Sequence, residues 1–162
     1  MTIDSSLIED LILSSIVCVV EFGGKRILLT GDGRCDDILD GLSANGLLDE
    51  SGKAHFDILK MPHHGSDANM KPDFLLTVTA DHYVISADGK HHNPDRTTLD
   101  MMAENIRSRT IHFINHDGEF DLGEKMDGFA QKISANGNGV VISYPGAGKN
   151  SSVLNLLDEL PY

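Results

Sequence analysis

The chain has no tryptophan, two cysteines, five prolines and 6% aromatic residues in 162 positions. Cys18 and Cys35 lack CxxC spacing, so they support neither a disulfide framework nor a structural zinc site. Cys18 sits in an apolar, strand-like run and is expected to be a small buried residue. Positive charge is scarce as well. Thirteen Lys+Arg stand against 25 Asp+Glu, a formal charge of −12. That balance argues against a broad phosphate-binding surface, because non-specific nucleic-acid affinity comes from Lys and Arg neutralising phosphates. It argues equally against an anionic membrane surface. A grip on phosphate through a metal stays open. Long apolar runs are missing too: the longest, residues 16–20, is far too short to cross a bilayer. The start carries Asp4, Glu9 and Asp10, unlike a secretory signal with its positive charge. A cytoplasmic location is the expectation.

What remains is a globular composition, 40% hydrophobic and 23% charged, long enough for a single domain over residues 1–162 with a sizeable core. Sixteen glycines make it turn-rich. Residues 15–22, rich in β-branched side chains, read as a strand. Gly23-Gly24 is a hairpin signal, and residues 25–30 form the returning strand. A helix is expected over 36–48, a strand over 56–61, a helix over 73–78 and a strand over 82–86. A polar loop leads to Asn93 as N-cap and Pro94 as the first helical residue of a helix reaching about 107. Leu99, Met102, Ala103 and Ile106 line one face of it. A strand over 110–115, a helix over 125–133, a strand over 140–144 and a short helix over 152–160 complete the reading. Strands and helices alternate, so the fold class is α/β.

Three loops follow strands and are crowded with metal-competent side chains: Thr30-Gly31-Asp32-Gly33, Pro62-His63-His64-Gly65-Ser66 and Asp88-Gly89-Lys90-His91-His92-Asn93. In α/β sheets ligands bind beyond the strand ends, where such loops converge. A carboxylate and several imidazoles gathered there suit zinc, manganese or iron. Gly31 and Gly65 let the backbone turn sharply. The remaining titratable groups have plainer readings. His55, His82, His112 and His116 sit at strand edges as structural residues, and Asp36 and Asp37 are favoured by a helix N-terminus. Gly146-Ala147-Gly148-Lys149-Asn150 fails the P-loop pattern. Ser143 stands where its first glycine belongs, and Asn150 stands where Ser or Thr is needed.

Taken together, the strand–Gly-Gly–strand–Thr30-Gly31-Asp32 unit and the strand running into Pro62-His63-His64-Gly65-Ser66 resemble the metallo-β-lactamase fold. The nearest branch is that of the ComEC-type hydrolase domain and the phosphorylcholine esterases. The resemblance runs from about Ser14 to Arg107. It implies an αββα sandwich with one or two zinc ions at its edge, manganese or iron being alternatives. It implies catalytic roles for Asp32, His64 and His92. Asp32 and His64 would be metal ligands, with His63 as second choice or supporting partner. Ser66, His91 and Asn93 would contact substrate, Ser66 alternatively orienting His64. The activity implied is ester or phosphodiester hydrolysis by metal-activated water.

Two departures qualify the match. Asn93 stands where the family has a histidine before the proline. The family's principal metal motif, His-x-His-x-Asp-His, occurs nowhere in the chain. The sequence therefore matches the C-terminal half of the fold, a mixed sheet with helices on one face and an apolar face left uncovered. A homodimer or an N-terminal half-domain would bury that face. The alternative function is a non-catalytic module that associates through it.

Overall fold

The computed structural model describes residues 15–89, 91–114, 123–145, 149 and 151–156. Residues 1–14, 90, 115–122, 146–148, 150 and 157–162 lie outside them, and with them His116, Lys90, the glycine-rich 146–150 segment apart from Lys149 and the end of the helix expected over 152–160. Among the described residues six strands form one sheet in sequential order: β1 (Cys18–Phe22), β2 (Lys25–Leu29), β3 (Ala54–Lys60), β4 (Val78–Ile85), β5 (Thr110–Phe113) and β6 (Val141–Ser143). β1 and β2 are antiparallel, joined through Gly23 and Gly24 at φ 58 and 77, which glycine accepts without strain. The other neighbours are parallel. The fold is α/β with a mixed sheet and flanking helices, as expected.

Parallel strands need crossovers, supplied here by α1 (Cys35–Ala44), α2 (Pro72–Thr77), α3 (Arg96–Asn105) and α4 (Gly123–Asn136). Such crossovers are right-handed, and a strand order that always advances in one direction puts every helix on the same face. The helices accordingly pack in a row, α1 on α2, α2 on α3 and α3 on α4. Ile38, Leu42, Phe74, Leu99, Met102, Phe129 and Ile133 meet Leu28, Leu59, Tyr83, Ile85, Ile111 and Phe113 in one core.

The ladder places Cys18, Val20 and Phe22 beside Leu29, Ile27 and Lys25 on the opposite face, followed by Ile58 and Lys60, His82 and Val84, Thr110 and His112. This face is open over β1 and β2, where Val20, Phe22 and Leu29 are 43%, 86% and 41% exposed. It is closed over β4 and β5, where Val84, Thr110 and His112 are buried. The β3–β4 pairing runs from Phe56↔Ala80 to Ile58↔His82, passing over Asp57 and Asp81. Burial changes phase at that point: Ala54 and Phe56 are buried before it, Leu59 and Met61 after it. Asp57 is engaged by Lys25 Nζ and Arg26 N–H, both at 2.8 Å.

Four expectations are corrected. Cys18 is exposed, because β1 is an edge strand and all its residues but Val19 are exposed. The long central helix begins at Arg96 with Asp95 as N-cap, and neither Asn93 nor Pro94 belongs to it. Asn93 donates instead to His63 O at 3.2 Å, Asp95 N–H donates to Gly65 O at 3.0 Å, and the Asn93–Pro94 bond is cis. The 62–66 turn, not the helix, holds these residues. Residues 152–156 are not helical. The first helix stops at Ala44 rather than 48, with Gly46 left-handed at φ 65 and Leu47 N–H bonded to Leu42 O.

Candidate functional site

Parallel strands β2, β3 and β4 end side by side, so the loops that follow them share one rim. Thr30 Oγ1 donates to Lys60 O at 2.7 Å, and Met61 N–H donates to Val84 O at 2.8 Å, locking the three ends together. His63 N–H donates to Gly31 O at 3.0 Å, which lays the Pro62–Gly65 turn against the Asp32 loop. Both histidines of that turn have left-handed backbones, His63 at φ 43 and His64 at φ 58. For non-glycine residues this costs about 1–3 kcal/mol each, and it persists only where the surroundings enforce it.

The enforced geometry turns the His64 ring toward Asp32. Nε2 of His64 lies 3.9 Å from Asp32 Oδ1, with both side chains about half exposed. The Nδ1 atoms of the two histidines are held from behind. His63 Nδ1 meets Asn69 Oδ1 at 2.8 Å, and His64 Nδ1 bonds the carbonyl of Ser86. A ring whose Nδ1–H is given to an acceptor keeps its Nε2 lone pair for another task. Asp32 is fixed through its backbone, its N–H donating to Ser15 Oγ at 2.7 Å.

His64 also forms the wall of a cleft of about 240 Å³ with Ser86, Ala87, Asp88, Gly89, His91 and Asn93. Asp32, His64, His91 and Asn93 are thus gathered at one rim, with His63 beside them. His92 is exposed and is not part of the cleft wall; its carbonyl accepts Lys125 Nζ at 2.6 Å. Ser66 gives its backbone N–H to His63 O, and it is Ser86 that orients His64. A larger groove of about 520 Å³ lies between β1 and α1, lined by Val17, Val19, Ile38, Leu42 and Leu47, and no imidazole lines it.

Four contributors escaped the sequence reading. Asn69 is buried and bridges the loops, donating to Asp32 O at 2.9 Å while facing His63. Ser15 and Ser86 act as described. Lys60 donates to Gly31 O at 3.2 Å; burial pulls its ammonium below the ordinary lysine value, with Asp32 acting in the opposite direction. A buried asparagine seven residues past Pro62 has no local signature, but a lysine ending an apolar strand immediately before the His-His turn was a visible anomaly.

The donor types fit a borderline divalent ion, a carboxylate with imidazole Nε2 atoms supported at Nδ1. The donor number falls short. No group of three or more His, Cys, Asp or Glu side chains among the described residues is arranged to hold a metal, and a catalytic zinc takes three protein ligands. No protein-family model, curated protein or solved structure matches the chain.

Proposed function

We propose that this chain supplies part of a metal-dependent hydrolytic centre of metallo-β-lactamase type, acting on an ester or phosphodiester. Asp32 and His64 are two of its ligands and His63 is the reserve. Zinc suits the carboxylate–imidazole set best, with manganese or iron as alternatives. The observation that carries this reading is the convergence of Asp32 Oδ1 and His64 Nε2 at 3.9 Å, each loop held by hydrogen bonds to a neighbouring segment. An ion bound there would supply the charge that makes water nucleophilic near neutral pH. His91 and Asn93 are the candidate substrate contacts. The missing donors would come from an N-terminal half-domain or a second copy, seated on the open face of β1 and β2. A cytoplasmic setting accords with two cysteines that are both free thiols.

The open face also favours the second reading, a module that associates without catalysis. Calorimetric titration with Zn²⁺ or Mn²⁺ addresses the first. Weak binding that disappears in both Asp32→Ala and His64→Ala supports it. Binding that survives the double substitution, or no binding by the unaltered chain, removes it. Chelator-sensitive hydrolysis of bis(p-nitrophenyl) phosphate, lost in the same variants, would exclude the non-catalytic module.

A further inference from the structure

α1 carries the chain from β2 to β3, so it lies over those strands and leaves the helix side of edge strand β1 bare. The result is the groove of about 520 Å³ between β1 and α1. Its walls are Val17, Val19, Ile38, Leu42 and Leu47. Ile38 and Leu42 are buried beneath it, whereas Val17 is 38% exposed. Small-molecule sites typically hold about 300–1,000 Å³ and have apolar walls with few polar groups, a description that this groove meets. It shares no residue with the Asp32–His64 rim.

The polar groups of the groove are acceptors. Glu21, Asp37 and Asn45 line it, and no Lys, Arg, His, Ser or Thr does. Glu21 is already engaged, its Oε1 accepting Arg26 Nε at 2.9 Å. Asn45 Nδ2 donates to Gly41 O at 2.8 Å, which leaves its Oδ1 as an acceptor. Asp37, unlike Asp36 with its Lys71 partner, has no ion-pair partner among the described residues. Asp37, Gly41 and Asn45 follow at four-residue spacing, so they share one side of the helix over about 12 Å. Gly41 is interior to α1, where glycine destabilises a helix relative to alanine. Neither usual reason for a glycine holds there: its φ is not left-handed, and a Cβ would meet nothing within 4 Å. What it does is keep the groove open between the carboxylate and the carboxamide.

We propose that the β1–α1 groove binds a small amphipathic cation, its aliphatic chain lying over Gly41 against Val17, Val19 and Leu42 and its ammonium head at Asp37. The alkyl chain takes up the apolar walls, and a cationic donor meets the acceptors. An anionic head of the fatty-acid type would face Asp37 with no donor to receive it. The site uses no candidate metal ligand, so it stands independently of the hydrolytic reading.

n-Octylammonium is the probe, with octanoate and ethylammonium for comparison, followed through the amide NMR shifts of the isotope-labelled full chain. Expected are saturable shifts centred on Val19, Gly41 and Leu42. Octylammonium should bind about tenfold tighter than octanoate or better, and ethylammonium should have no effect there. Gly41→Leu and Asp37→Asn should each weaken binding about fivefold or more. Gly41→Leu should at the same time raise the melting temperature by about 1–4 °C, because leucine is the better helix former. A merely structural glycine would not couple gained stability to lost binding. Equal affinity for octanoate overturns the proposal. So do scattered shifts or an equal response to ethylammonium, which mark counter-ion attraction to a chain of charge −12. An absence of binding, or binding untouched by both substitutions, overturns it as well. Shifts of the same amides that grow with protein concentration before ligand is added overturn it in favour of a second copy in the groove. Should Gly41→Leu fail to fold, Asp37→Asn, at an exposed position, gives the reading.

Discussion

Asn69 Oδ1 lies 2.8 Å from His63 Nδ1, and the same carboxamide donates to the Asp32 carbonyl at 2.9 Å. One buried side chain therefore couples the two loops that carry the candidate site. Asn69→Leu keeps the volume and strands an imidazole nitrogen together with the Asp32 carbonyl. The expected cost is about 1–3 kcal/mol in urea unfolding. A change below about 0.5 kcal/mol would mean that water replaces the bridge.

Gly65 is left-handed at φ +85, and a Cβ there would sit 2.7 Å from Pro94 Cβ. Gly65→Ala combines backbone strain with an overlap that the rigid proline ring relieves poorly. A loss of about 1–3 kcal/mol is expected. His64 and Asp95 flank the same contact, so the variant should also alter the amide NMR shifts of the Asp32 loop. A shift pattern confined to residue 65 would contradict that coupling.

His112 is buried, and His82 Nδ1 lies 3.1 Å from its Nε2. Burial first and His82 second push the His112 imidazole down to about 4. The unfolded chain, with histidine near 6.5, binds the proton more readily than the folded one. Stability is therefore complete above about pH 6.5 and declines as the pH falls toward 4, by about 2 kcal/mol at pH 5. His112→Leu should flatten that part of the urea-midpoint profile between pH 7 and 5. An unchanged slope would assign the effect to other groups.

Phe22 is 86% exposed on the open face, whereas Phe129 is 2% exposed beneath the sheet. Phe129→Ala should cost about 3–5 kcal/mol through the cavity it leaves. Phe22→Ser should change stability by less than about 0.5 kcal/mol if nothing covers it. A larger loss would mean that the open face is covered in the folded protein.

The alternation of elements was legible because helix and strand periodicities differ, and the Gly23-Gly24 turn and the Leu99–Met102 face follow directly from it. The gathering of Asp32 and His64 was legible because strand ends of a parallel sheet share a rim. Cys18 was misplaced because an apolar strand reads alike whether its faces are covered or bare. The start of α3 was misread because Asn93 and Pro94 serve a turn some thirty residues earlier, a partner that local capping rules do not contain. Asn69 and Ser86 act through bonds made only after the chain has folded back on itself.

The skipped pair Asp57 and Asp81 has a consequence for how the protein tolerates change. A strand with strict alternation accepts polar substitutions at every second position along its whole length. In β3 that rhythm slips by one midway: His55 and Ile58 border solvent while Phe56 and Leu59 are sealed. A substitution map of β3 should therefore read as two short alternating records, out of step with each other, joined at an aspartate tethered to Lys25.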